Sequence, residues 1–140
     1  MAVGRSVSYI AATPPLDFVI RQGYVGGLAL DISTELDTAA DIGQWAIDIP
    51  QAVLFQGVVA DDGTISRLET MDGEFAALRA EPSSVVGQVL VMIPDGFYTA
   101  KIAPDATTLP VVIAMVRIVF PDGETKVLEV RIAICYGDET

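Results

Sequence analysis

The clearest alternation of hydrophobic and polar positions lies between residues 111 and 136, in the sequence VVIAMVRIVFPDGETKVLEVRIAICY. Two runs rich in β-branched residues flank Pro121-Asp122-Gly123, which is typical of a β-hairpin. Proline has no N–H to donate to a closing pair, so we predict a type I turn with Pro121 second and Gly123 in a left-handed bulge. This register opposes Val116 to Leu128, Ala114 to Val130 and Val112 to Ile132.

The two faces of this hairpin differ in composition. The three opposed pairs make one face wholly apolar, as expected for a face that packs on a core. On the other face Arg117 lies diagonally across from Glu129, which predicts a cross-strand ion pair. The surrounding side chains are mostly apolar, so we expect this second face to be covered, either by a neighbouring chain or by a loop or helix of the same chain. The residues predicted to contact a neighbour are Ile113, Met115, Arg117, Val119, Val127 and Glu129.

Two shorter strands are predicted before residue 34. In LDFVIRQG, residues 16–23, apolar and more polar positions alternate until Gly23. In YVGGLALDIS, residues 24–33, Leu28 and Leu30 share one side after Gly26-Gly27, which we interpret as a turn or a bulge. The next segment, TELDTAADIGQ, has capping residues at its start and a glycine near its end, so it predicts a short helix or an ordered loop.

The middle of the chain predicts further strands separated by turns. A strand pattern over residues 45–63 is interrupted at Pro50, which implies an edge or a bend, and it ends at Asp61-Asp62-Gly63. Residues 64–81 contain both strand and helix formers, and Asp72-Gly73 favours a hairpin, so we predict strand, turn, strand. Residues 85–102 repeat the design of the final hairpin around Pro94-Asp95-Gly96.

These elements predict an all-β fold, an immunoglobulin-like antiparallel β-sandwich, because turn signals recur about every ten residues. We assign residues 16–140 to one domain and residues 1–15 to an extended N-terminal arm, which Pro14-Pro15 keeps out of a helix. The segment VSYIAAT can add a strand to a neighbouring sheet, and a disordered terminus is the alternative. The arm residues predicted to contact a neighbour are Ser6, Val7 and Tyr9.

Composition narrows the class of partner. Of the 140 residues 51% are hydrophobic and 19% are charged, which leaves apolar surface that favours a protein partner and a homo-oligomer. The net charge of −11 and only eight basic residues argue against a nucleic-acid partner. No apolar run reaches the length of a membrane span. The short apolar run before Pro14 is unlike a secretory signal, so we expect synthesis in the cytoplasm.

The residue types of common catalytic sites are sparse. The chain has no histidine and one cysteine, Cys135, which removes Ser-His and Cys-His pairs and most zinc sites. No phosphate-binding glycine loop occurs, and the carboxylates fall mainly in turns, where aspartate hydrogen-bonds local backbone. The oxygen-rich positions Asp31, Asp61 and Asp62 do not follow the spacing of a twelve-residue calcium loop. We therefore predict a non-enzymatic protein without a metal or cofactor.

A ligand-binding module is the alternative function. A carbohydrate or another small ligand would require exposed aromatic side chains. An exposed cluster around Trp45 and Tyr98 would favour this alternative, and a buried Trp45 would count against it. The candidate aromatic residues are Tyr24, Trp45, Phe97, Tyr98 and Tyr136.

The order of the segments resembles the immunoglobulin-like N-terminal domain of tailed-phage baseplate upper proteins. In that family an opening strand ends in a basic-Gln-Gly turn, a Gly-x-Tyr-x-Ala strand comes late, and a Pro-or-Asp-Gly hairpin closes the domain. The matching segments are Arg21-Gln22-Gly23, Gly96-Phe97-Tyr98-Thr99-Ala100 and Pro121-Asp122-Gly123, within residues 16–134.

The resemblance implies a structural role in a phage virion. Such modules have no active site and act by packing, so the implied partners are other virion proteins and further copies of the chain. Two departures from the family are the insertion KIAPDATTLP and the lack of a long segment after residue 140. They lead us to expect a free-standing adaptor, baseplate or collar protein, or a capsid decoration protein, rather than a tether for a receptor-binding domain.

Overall fold

The fold is seen in a computed structural model, which describes residues 15–31, 46–82, 88–119 and 125–137. Three predicted features lie outside these ranges. They are the arm residues Ser6, Val7 and Tyr9, the short helix or loop over residues 34–44, and the turn at Pro121-Asp122-Gly123.

The described residues form strands and loops without a helix, and the strands build two packed sheets. This confirms the predicted all-β sandwich. The five-stranded sheet has the order β1-β8-β7-β3-β4 and the three-stranded sheet the order β2-β6-β5. The strands are β1 Leu16–Arg21, β2 Gly26–Asp31, β3 Ala46–Val59, β4 Ile65–Thr70, β5 Arg79–Pro82, β6 Gln88–Ile93, β7 Leu109–Val119 and β8 Thr125–Cys135.

The strand order is that of an immunoglobulin-like sandwich. Strands β2, β6 and β5 occupy the positions of strands B, E and D, and β3, β7 and β8 those of C, F and G, with β4 added beside C. Every described pairing is antiparallel except that of β1 with β8, which is parallel and places Leu16 opposite Val130. The alternation of hydrophobic and polar positions does not show whether two strands pair in parallel or antiparallel, so it did not predict this parallel pair.

The final hairpin has the predicted register. Val112 pairs with Ile132, and the neighbouring core-facing pairs follow as expected. Pro50 lies where the register between β3 and β7 shifts by one residue, between Asp48 and Gln51, so the predicted bend is a β-bulge. The turn at Asp61-Asp62-Gly63 is also present.

Three local predictions are wrong. Gly26 and Gly27 do not form a turn or bulge but pair with Ile93 and Met92 inside a sheet. The segments around Asp72-Gly73 and around Pro94-Asp95-Gly96 do not close hairpins, because each carries the chain from one sheet to the other. Turn residues indicate that the chain changes direction, but they do not show which strand the following segment pairs with.

The main core lies between the two sheets, and one charged residue of the described ranges, Lys126, is also buried. Leu30, Val91 and Ile132 are representative core residues, each at most 1% exposed. Lys126 is opposite Ile118 on the core-facing side of β8 and is fully buried, although it is not without a partner. The prediction that this face is wholly apolar is therefore wrong at Lys126. The opposed pairs on which it was based end at Val116 and Leu128, and the next core-facing pair is Ile118 with Lys126.

Candidate functional site

The predicted contact residues lie on the side of the five-stranded sheet that faces away from the three-stranded sheet, which we call the outer face. It has two halves that differ in burial. The closed half is a second apolar cluster formed by Ile65, Val111, Ile113 and Ala133, with Phe55 and Val59 packed against it. The open half consists of Asp48, Met115, Arg117, Val119, Val127 and Glu129, which are exposed or only partly buried.

Gly57 allows the chain to cover the closed half. It lies on β3, between Leu109 of β7 and Arg67 of β4. A Cβ atom there would stand 2.6 Å from a methyl carbon of Val111 and 3.1 Å from the carbonyl oxygen of Ser66. The missing side chain leaves room for Val111 of β7 and the backbone of β4 to lie close to β3 here, and the nearby Ile65 of β4 is 99% buried.

The carboxylate of Asp17 connects the two edges of the sheet beside the closed half. Asp17 of β1 accepts two hydrogen bonds from Arg131, at 2.7 and 3.1 Å. The same carboxylate accepts a bond from the backbone N–H of Ile65, at 2.9 Å. Because β1 and β4 are the opposite edges of the sheet, this contact shows that the sheet curls until its edges meet. Arg67 lies 4.9 Å from the ring centre of Phe55 on the same side.

Ile113 belongs to the closed half and not to the open surface. It is 6% exposed and packs in the second apolar cluster. Of the two alternatives for covering the second face, the chain's own β3–β4 segment accounts for this half. Ile113 is therefore not available to a neighbour, and the remaining predicted contact residues on this face are those of the open half.

An exposed ion pair is central to the open half. Arg117 donates to both carboxylate oxygens of Asp48, through Nε at 2.9 Å and through Nη2. The side chains are 44% and 51% exposed, respectively. The hydrogen bond to Asp48, together with the charge of its carboxylate, raises the pKa of Arg117 above its ordinary value.

The predicted pairing of Arg117 with Glu129 is wrong. Strand β3 places Asp48 directly opposite Arg117, whereas Glu129 is opposite Met115. A directly opposed neighbour is closer than a diagonal one. Sequence reasoning treated the hairpin as a pair of strands, and the third strand supplied the nearer carboxylate.

Apolar side chains surround the exposed ion pair. Met115, Val119 and Val127 are partly buried without reaching the burial of core residues. A shallow cleft of about 150 Å³ lies at the border with the closed half, and Met115, Glu129 and Arg67 are among its lining residues. The open half therefore combines apolar contact area with a fixed, solvent-facing charge pair.

A second junction connects two of the segments that carry the phage resemblance. The side-chain amide of Gln22 donates to the backbone oxygens of Tyr98 and Ala100, at 2.8 and 2.7 Å. Gln22 also donates its backbone N–H to Cys135 at the end of β8. The Arg21-Gln22-Gly23 turn and the segment over residues 96–100 thus meet at one end of the sandwich.

Among the residues that the structure describes, the candidate aromatic side chains do not form an exposed cluster around Tyr98, which the ligand-binding alternative requires. Phe97 and Tyr98 are 4% and 7% exposed, and burial raises the pKa of Tyr98. Tyr24 and Tyr136 are exposed, and Trp45 lies outside the described residues. Tyr98 therefore does not offer a ring face to a ligand.

Within the described ranges, no three or more carboxylate or cysteine side chains are grouped to hold a metal ion. In the same part of the chain, no helix has the length and apolarity needed to cross a bilayer. No family model matches the sequence, and neither a curated protein nor a solved structure shows significant similarity to it. The functional argument therefore rests on the residues of this chain.

Proposed function

We propose that this chain is a non-enzymatic structural subunit of a tailed-phage virion and acts by packing against neighbouring protein chains. The observation that carries the proposal is the open half of the outer face. Its partly buried apolar side chains surround an exposed Arg117–Asp48 pair, and protein interfaces commonly combine apolar contacts with arginine. A contact there would bury apolar surface that the chain's own β3–β4 segment leaves open.

The phage assignment is supported by the resemblance and by the contact between its motifs. Gln22 and the Tyr98–Ala100 backbone are far apart in sequence but bond directly, so the two motifs form one structural unit. An immunoglobulin-like sandwich hosts many unrelated functions, so fold alone does not carry the assignment. The proposed partners are other virion proteins and further copies of this chain, in an adaptor, baseplate, collar or capsid-decoration position.

Protein mass spectrometry of purified particles tests this proposal. Phage particles would be purified on a density gradient from cultures that carry the coding sequence, and from matched cultures in which it is deleted. We expect the chain to co-sediment with the particles at a fixed ratio to their other proteins. If particles of normal composition and infectivity form without the chain, and it is absent from the parent particles, the proposal is wrong.

A face variant tests whether the open half makes the contact. Arg117→Glu with Val127→Glu places carboxylates on the open half while leaving the closed half unchanged. We expect at least a tenfold loss of incorporation into particles, because the contact would bury these charges. Ala29→Asp, at an exposed position of β2, is the matched control and should be incorporated normally. Normal incorporation of the face variant would exclude the open half as the contact.

A further inference from the structure

One edge of the three-stranded sheet is open to a further strand. Strand β2 pairs with β6 on one side, and no described strand lies on its other side. Alternate residues of an edge strand direct their N–H and C=O groups away from the sheet, which makes the edge a template for an extended segment of chain. We call the unpaired side of Gly26–Asp31 the β2 edge.

The β2 edge lacks the protection that the other three described sheet edges carry. Proteins blunt exposed edges with charged side chains and with proline. The first five residues of β2, Gly26 to Leu30, include neither. The edge strands β1, β4 and β5 each include at least two charged residues, which are Asp17 and Arg21, Arg67 and Glu69, and Arg79 and Glu81, and β5 also ends in Pro82. The β2 edge is therefore the described edge best suited to accept a strand.

A hydrogen bond at the β2 edge indicates which backbone groups face outward. The hydroxyl of Tyr24 donates to the carbonyl oxygen of Gly27 at 3.0 Å, which indicates that this oxygen faces away from β6. By alternation along the strand, the N–H and C=O groups of Ala29 and Asp31 face the same way. Within the described part of the chain, no backbone group outside β6 bonds to either residue. These groups are the ones that a further strand would meet.

Residues 5–13, RSVSYIAAT, have the composition of a strand that fits this edge. They contain no glycine or proline and a single charged residue. Val7 and Tyr9 alternate with serine, so a strand would direct both to one side. Added at the β2 edge, that side continues the core face of Leu28 and Leu30, which are 8% and 1% exposed.

Pro14-Pro15 directs this segment away from the β2 edge of its own chain. Strand β1 begins at Leu16, so residues 5–13 would have to fold back at the two prolines to reach that edge. A residue before proline avoids helical backbone, and the second central residue of a type II turn needs a positive φ, which proline cannot adopt. Neither common turn can therefore hold both prolines at its centre. In extended form residues 5–13 span roughly 30 Å, enough to reach a neighbour.

We infer that residues 5–13 of one copy add a strand to the β2 edge of a second copy. The inference rests on the proposed role as a packing subunit, and it adds the partner, the donor segment and the acceptor edge. In such additions the main-chain hydrogen bonds supply affinity, and alternate side chains supply specificity. The contact is separate from the open half of the outer face, which lies on the other sheet.

Variants of the full-length protein test the donor segment by light scattering behind size exclusion. The blocked variant, Val7→Pro with Ser8→Pro, removes two successive N–H groups, one of which faces the acceptor strand. The matched control, Val7→Thr with Ser8→Thr, keeps both N–H groups. We expect wild type and the control to form dimers or larger assemblies and the blocked variant to be monomeric.

Hydrogen exchange measured by mass spectrometry on the same proteins tests the acceptor edge. We expect the edge-facing amides of residues 26–31 to exchange about tenfold or more slowly in wild type than in the blocked variant, because the added strand covers them. Exchange over residues 99–108, in the loop before β7, should be equal and serves as the internal reference. Circular dichroism and melting curves check that both proteins are folded.

Each other outcome overturns the inference. A monomeric wild type, or a blocked variant that assembles as wild type does, excludes strand addition between copies. Equal exchange over residues 26–31 shows that the β2 edge is not the acceptor. Slower exchange in a monomeric wild type places the segment on its own chain and also excludes the contact between copies. The particle-composition test is independent, so strand addition can fail while the virion role stands, and the reverse.

Discussion

The two halves of the outer face lie on the same strands but are covered in different ways. In the closed half Ile113 is buried by the chain's own β3–β4 segment, beside Asp17, which bonds Arg131 of the neighbouring strand and Ile65 of the opposite sheet edge. In the open half Met115 and Val127 remain partly exposed around an ion pair that faces solvent. Similar apolar patterning therefore produced a second core in one half and a candidate contact surface in the other.

The largest expected effect distinguishes the halves directly. Ile113→Lys places a charge in the second core, where neither water nor a partner is available, so we expect loss of the folded state. Val127→Lys, on the same face of the neighbouring strand, should stay folded because the ammonium reaches solvent. Urea unfolding followed by circular dichroism measures both. Equal stability of the two variants would show that the halves do not differ in burial.

The next effect concerns how the closed half is covered. Gly57→Ala adds a methyl group 2.6 Å from a Val111 methyl carbon, and we expect a loss of roughly 1–3 kcal/mol in unfolding free energy. Val111→Ala removes that methyl group but leaves a cavity, which lowers the unfolding free energy. The double variant should therefore be more stable than the sum of the two single losses predicts, as denaturant unfolding of all four proteins would measure. Additive losses would mean that the close approach at Gly57 does not matter.

The smallest effects compare the two ion pairs. Asp17 and Arg131 are 16% and 18% exposed, and Asp17 also accepts from Ile65, so Asp17→Asn should lose about 1–3 kcal/mol. Asp48→Asn breaks a pair that is about half exposed, and we expect no measurable change in the melting temperature. Calorimetry of the two variants provides the comparison. A larger loss for Asp48→Asn would mean that the open half also stabilises the fold.

Local patterns were informative where one pair of strands determined the outcome. The register of the final hairpin followed from the missing proline N–H and from the apolar face of Val112 and Ile132, and both constraints act between adjacent strands. The bulge at Pro50 and the turn at Asp61-Asp62-Gly63 were predictable for the same reason. Each depends on backbone chemistry within a few residues.

Contacts between distant strands were not predictable in this way. The partner of Arg117 is Asp48 rather than Glu129, and Asp17 reaches Ile65 from the opposite edge of the sheet. The hairpins expected at Asp72-Gly73 and at Pro94-Asp95-Gly96 are crossings between sheets. The pattern of two adjacent strands does not show where a third strand lies or how the sheet curves.

The sequence by itself therefore determined an all-β sandwich, the faces of its longest hairpin, and an apolar surplus on the second face. Only the tertiary structure decided which part of that surplus the chain covers for itself. The physical reason is that coverage depends on the close approach of β3, β4 and β7 at Gly57 and on the hydrogen bond from Ile65 to Asp17, which joins the two sheet edges. These contacts form only after the strands are assembled, so the boundary between second core and open surface is a property of the folded sheet.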